Sequence, residues 1–183
     1  MSSSEIAGRD AGPTRRSLAL VAALGVAALA GGCFRPLYAE STASTVGGSV
    51  RTALRSIEFP EIKGLMGHYL RNELVFEFDG GNEPDAPKTL KFDASLAESV
   101  EVVTVDYANG RADSAILVAT ATWKVTRNGT GEIVSSGTNS VREPYERSSQ
   151  RFATVRAARD AQIRAAKNLA SLIRGQIAAD LTS

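Results

Sequence analysis

One histidine, one cysteine and a few spaced carboxylates are the residues of this 183-residue chain that could carry chemistry. His68 stands between Gly67 and Tyr69. Its near-neutral pKa would suit an acid or a base. No Ser, Cys or Asp lies at a recognisable spacing to complete a catalytic set, so a packed or partly exposed imidazole is expected. A single His excludes a multi-histidine metal site in a monomer. A single Cys excludes a disulfide framework and a thiolate metal cluster within one chain. Glu98 with Glu101, or Glu143 with Glu146, could form acid pairs for hydrolysis. Such a spacing arises by chance and gains meaning only inside a pocket. Gly47-Gly48 and Gly80-Gly81 lack the Lys-Ser/Thr of a phosphate-binding loop. The chain therefore reads as a non-enzyme, with no metal and no diffusible cofactor.

The cysteine is informative through its surroundings. Ser17 to Ala30 carries no charge and follows Arg15 and Arg16. It is shorter than the roughly 20 residues that a membrane-spanning helix needs. With its basic flank and the small residues after it, the stretch reads as a secretory leader covering residues 1–32. Leu29-Ala30-Gly31-Gly32-Cys33 resembles the lipobox of bacterial lipoproteins, with Ala30 where that class prefers Leu. The resemblance implies a diacylglycerol on the Cys33 thiol, cleavage before Cys33 and an N-acyl chain on the freed amine. Each buried CH₂ contributes about 0.8 kcal/mol, so several chains anchor firmly where one does not. Phe34, rather than Asp, follows the cysteine, which by the same resemblance sends the protein on to the outer membrane. Arg15-Arg16 also fits a weak twin-arginine signal; the general secretory route is the preferred reading.

The elements that must present any site come from punctuation and period. Lys+Arg number 21 and Asp+Glu 20, which leaves +1 and argues against a general nucleic-acid binder. Charge is uneven: Glu40 to Glu101 holds 6 basic and 11 acidic residues, whereas Arg142 to Arg174 holds 8 basic and 3 acidic. Solvated faces that attract one another explain this, and so does a basic surface for an anionic ligand. Ala39 to Ser49 is small, polar and Gly-rich, part of a lipidated tether over residues 33–54. A single domain is expected over 55–183. Arg55 to Glu61 reads as a first strand with Pro60 near its end. Ile62, Met66, Leu70 and Leu74 recur every four residues, which predicts an amphipathic helix over Lys63 to Phe78. Thr89 to Leu96 alternates and continues, bulged, through Val105. Asn109-Gly110 and Asn128-Gly129 mark hairpin turns around Ala115 to Thr126, and Glu132 to Val141 is the fourth strand. Gln150 to Leu181 is a long helix with Ile163, Ala166, Ala170, Ile173, Ile177 and Leu181 on one stripe. The order β-α-β-β-β-α predicts an α+β two-layer sandwich: a four-stranded, mostly antiparallel sheet with two helices on one face.

Several fragments in this order resemble a known family. Cys33-Phe34-Arg35-Pro36-Leu37-Tyr38 is similar to the lipidated start of the alphaproteobacterial lipopolysaccharide-assembly lipoprotein (LptE) family, which reads GCGFRPLY; the Gly after the cysteine is absent here. Leu70-Arg71-Asn72-Glu73-Leu74, Ala121-Thr122-Trp123, Ser136-Gly137, Tyr145, Ala157-Ala158 and Asp160-Ala161 continue the likeness. It covers essentially all of the chain after the leader. The resemblance implies a lipid-anchored protein on the periplasmic side of the outer membrane. Such a protein plugs and helps assemble the LptD barrel for lipopolysaccharide transport, binds lipopolysaccharide and catalyses nothing. The candidate lipopolysaccharide contacts by position are Arg111, after the first hairpin turn, and Arg142, Arg147 and Arg151, between the fourth strand and the last helix. The family's basic residue of the first turn falls near Ala108, so its role shifts to Arg111. Arg presents a planar fork suited to the phosphates of lipid A. The alternative is a periplasm-facing lipoprotein adaptor of another envelope transport complex.

Overall fold

In the computed structural model, residues 42–79, 87–106 and 111–182 are described. Ser49 begins the first helix: its Oγ accepts the Thr52 backbone N–H at 3.2 Å, satisfying a donor that the first turn cannot. The helix is α1 (Val50–Arg55). β1 (Ile57–Glu58) follows, only two residues long. Gly64, at φ +89°, turns the chain into α2 (Leu65–Asp79). Then come β2 (Leu90–Asp106), β3 (Arg111–Arg127), β4 (Ile133–Glu146) and α3 (Arg151–Asp180).

The sheet runs β1-β2-β3-β4. β1 pairs parallel to β2, and the other neighbours pair antiparallel. The helices cover one face. That face receives Leu90 and Phe92 of β2, Leu117 and Trp123 of β3 and Val141 of β4, all buried, as the two-residue period requires. Phe59 packs edge-on to Phe78 at 5.0 Å and lies 5.3 Å from Phe92, which stacks on Trp123 at 6.0 Å between centroids. Trp123 is thus core, and its Nε1 donates to Asn139 Oδ1 at 2.7 Å.

The α+β two-layer architecture is the expected one, with three local differences. Residues 42–54 do not all act as tether. Val50, Ala53 and Leu54 join the core, and Thr45 N donates to Leu181 O at 2.8 Å. A six-residue helix with three apolar contacts is too short for periodicity to reveal. Second, the strand expected over 55–61 shrinks to β1. Lys88 Nζ donates to Arg55 O and Ile57 O at 3.0 and 3.2 Å and to Asp79 Oδ2 at 3.3 Å, so side-chain bonds hold what a ladder would. Third, Ile163 lies outside the buried arc, 41% exposed. α3 faces both the sheet and α2, and its inward arc is carried by Ala161, Ala165, Ala166, Leu169 and Ala170 with Ile173 and Ile177.

β2 continues past Leu96 with register shifts between Val102 and Val105, and β4 extends beyond Val141 to Glu146. The Asn128-Gly129 turn is present: Gly129 sits at φ +89° and Arg127 N donates to Glu132 O at 2.8 Å. The turn expected at Asn109-Gly110, the Gly80-Gly81 pair and the expected leader with Cys33 lie outside the described residues.

Candidate functional site

The two ends of the sheet differ. Residues 42–49, the start of β2 and the end of α3 gather at one end, where Thr45 meets Leu181 and Ser135 Oγ donates to Asp180 Oδ2 at 2.5 Å. At the other end the strands outrun the helical cover. There α3 starts, near 45 Å along a 30-residue helix from its last turn.

At this second end lies a groove of about 410 Å³. Its floor is Val100 of β2, Leu117 of β3 and Tyr145 of β4; its wall is Leu65 of α2 and Val155 and Ala158 of α3. Glu98, Arg159 and Gln162 form its polar edge, and Gln162 Nε2 donates to Glu98 Oε2 at 2.8 Å. The groove exists because alternation along β2 keeps Val100 and Val102 on the helix side after the helices have stopped covering it; both stay exposed. Phe152, 86% exposed, stands one turn before Arg156 at the start of α3. No acid occupies the first turn of this helix, whereas Arg151 does. That placement runs against the helix dipole by a few tenths of a kcal/mol, so local helix stability does not explain it.

The sequence-derived candidates separate. Arg147 and Arg151 flank the short connection from β4 to α3 and make no ion pair among the described residues. Arg142 lies on the opposite face of the sheet, where its Nη1 donates to Glu101 Oε1 at 3.1 Å and its Nη2 to Oε2. The hydrogen bond from Arg142, more than its charge, holds the Glu101 carboxyl below the usual carboxylate range; the same contact raises the Arg142 guanidinium. Arg142 thus has a carboxylate partner already. Arg111 pairs through its backbone with Asp106 at the start of β3; its side chain lies outside the described residues. Arg156 and Arg159 were missed as individual residues. Their signal was the basic excess of 142–174 and the four-residue step from Val155 to Arg159.

The other candidates have structural roles. Glu98 and Glu101 point to opposite faces of β2, engaging Gln162 and Arg142. Glu143 is buried and accepts from Arg164 Nε at 3.1 Å and Asn168 Nδ2 at 2.6 Å. His68 is exposed on α2, with its Nε2 3.1 Å from Asn72 Nδ2. Among the described residues no cluster of three His, Cys, Asp or Glu could hold a metal, and no helix is long and apolar enough to cross a membrane.

The fold has solved counterparts. A Caulobacter crescentus protein described as a candidate lipoprotein is 24% identical, with a TM-score of 0.61 over 73% of this chain and 96% of its own. The two chains share a fold. A minor lipoprotein from Acinetobacter baumannii, 16% identical, reaches 0.49 over 68% and 89% of the two chains. Rare lipoprotein B from Shewanella oneidensis, 14% identical, reaches 0.42 over 65% and 92%. No family model and no curated protein matches the chain.

Proposed function

We propose that this protein is an envelope lipoprotein, anchored through acyl chains on Cys33. In this reading it plugs and helps assemble the LptD barrel for lipopolysaccharide transport, meeting lipopolysaccharide at the end of its sheet. It catalyses no reaction. It resides on the periplasmic side of the outer membrane. The lipobox-like run ending at Cys33 supports the anchor, and the description of the Caulobacter protein agrees with it.

The observation that carries the ligand-binding part is the groove floored by Val100, Leu117 and Tyr145, with Arg159 at its edge, where α3 starts with turns that bear Arg151, Phe152 and Arg156. Apolar surface next to guanidinium groups with no ion pair among the described residues suits an anionic amphiphile: the chains gain burial and the phosphates gain bidentate partners. Arg147 and Arg151 stay in this reading. Arg142 stands behind them because Glu101 already engages it.

Pull-down of tagged protein from outer membranes tests the barrel partnership. A stoichiometric large barrel protein supports it; inner-membrane transporter subunits in its place support the adaptor reading. Binding of lipopolysaccharide micelles to the Arg151→Ala/Arg159→Ala double variant tests the groove. A loss of at least tenfold, greater in low salt than in high, is expected. Unchanged binding in both salts refutes it.

A further inference from the structure

The groove at the uncovered end of the sheet carries three polar groups that the fold does not satisfy. Glu98 of β2 is the acid that lines it and Arg159 of α3 the base. Arg159 makes no hydrogen bond or ion pair among the described residues. Glu98 is engaged through Oε2 alone, by Gln162 Nε2 at 2.8 Å, which leaves Oε1 open. Tyr145 is half-buried in the floor. Its hydroxyl has no partner among the described residues, although a tyrosine hydroxyl drawn out of water ordinarily finds one.

The two charges line one groove without pairing with each other. Arg159 and Gln162 stand three residues apart on α3, which sets their Cβ atoms about 5–6 Å apart on one side of the helix. Gln162 holds the Glu98 carboxylate, so the carboxylate lies beside the neutral amide rather than against the guanidinium. A guanidinium would bond it more strongly; the arrangement instead commits an amide to Glu98 and leaves Arg159 available. A purely anionic headgroup would gain Arg159 but meet Glu98 as a like charge, and a purely cationic one would do the reverse. A headgroup bearing both signs, a short link apart, satisfies both.

We propose that the groove selects a phospholipid with a phosphoethanolamine headgroup. The phosphate takes the Arg159 guanidinium and the Tyr145 hydroxyl, and the ammonium donates to Glu98 Oε1. A two-carbon link joins the two ligand charges, the scale of the gap between the two protein charges. A primary ammonium offers N–H donors for a charge-assisted bond, which a quaternary one lacks. The acyl chain lies along Val100 and Val155, apolar side chains that are 53% and 58% exposed and gain burial by its arrival. Arg159 then supplies affinity for any phosphate, and Glu98 sets which headgroup is preferred. This inference rests on the reading of the groove as an amphiphile site and narrows the headgroup that it takes; it does not depend on the barrel reading.

The test is native mass spectrometry of the full-length, lipidated protein with an equimolar mixture of lysophosphatidylethanolamine, lysophosphatidylcholine and lysophosphatidylglycerol of one acyl chain. The three differ in headgroup alone, and each adds its own mass. The ethanolamine lipid is expected to exceed each of the others by about threefold, the scale of one exposed ion pair. Glu98→Gln should bring the ethanolamine-to-glycerol ratio to one or below with total lipid bound retained. Glu101→Gln, on the opposite face of β2, should keep the parent ratio. Arg159→Ala should lower the binding of all three lipids. Glycerol or choline lipid bound as well as the ethanolamine lipid by the parent, or a preference that survives Glu98→Gln, overturns the proposal. Arg159→Ala separates the two readings. If it removes the lipids and the parent shows no preference, the groove stands and the headgroup assignment falls. If every lipid stays bound to it as to the parent, the groove reading falls and the inference with it.

Discussion

Gly67 and Gly175 both lie inside helices, and replacing either with Ala should change stability in opposite directions. On α2, a Cβ at Gly67 would sit 2.5 Å from Ile62 O, 2.8 Å from Ile62 C and 3.0 Å from Ile62 Cγ2. Two of these atoms are backbone, and the side chain they carry is buried in the core, so they cannot swing aside as a side-chain tip would. The approach falls far inside the roughly 3.5 Å contact optimum for non-bonded carbon. Overpacking of this kind costs about 1–3 kcal/mol, and a backbone obstacle puts it at the upper end, about 3. Ala in place of Gly inside a helix returns about 1 kcal/mol. The expected net loss is about 2 kcal/mol. With a urea slope of about 2 kcal/mol/M, the midpoint should fall by about 1 M at unchanged slope. On α3, a Cβ at Gly175 meets nothing within 4 Å, so the propensity gain stands alone and the midpoint should rise by up to about 0.5 M. Urea unfolding followed by far-UV circular dichroism reads both. A Gly67→Ala protein as stable as the parent would refute the reasoning, since it would mean that the turn at Ile62 is free to yield.

Two further outcomes follow from the packing and the charges. Leu169→Ala, at a fully buried site of α3, should cost about 2–5 kcal/mol, while Ile163→Ala, exposed on the same helix, should change stability by less than about 0.5 kcal/mol; equal losses would contradict the buried arc described above. Glu101 titrates below its ordinary value of 4.5 in the folded protein because Arg142 bonds its charged form, so the pair stabilises above that ordinary value and its contribution disappears as pH falls through the lowered one. Melting temperature between about pH 6 and pH 3 should therefore fall less steeply for Glu101→Gln than for the parent, and identical slopes would count against the pair.

Much of the candidate site was hidden in plain residues. Arg147 and Arg151 were legible because basic residues clustered before a long helix. Val100 and Tyr145 were not, since each reads as one more apolar strand position. Their exposure depends on where the helices stop covering the strands. Arg142 looked equivalent to Arg147 in one dimension. Strand alternation set it on the other face, and Glu101, 41 residues earlier, reached it there.

By itself, the sequence determined the local and periodic features: the apolar run before Cys33, the four-residue stripe of α2, the alternating strands and the Asn128-Gly129 turn. These rest on interactions between residues near in sequence, which spacing and turn chemistry encode. Tertiary structure alone decided that Val50, Ala53 and Leu54 belong to the core and that Ile163 does not. It decided that Gly67 has no room for a methyl group while Gly175 has. It also left Leu172 of α3 half exposed. Each of these depends on which distant surface arrives against a given side chain, and no window of neighbouring residues contains that partner.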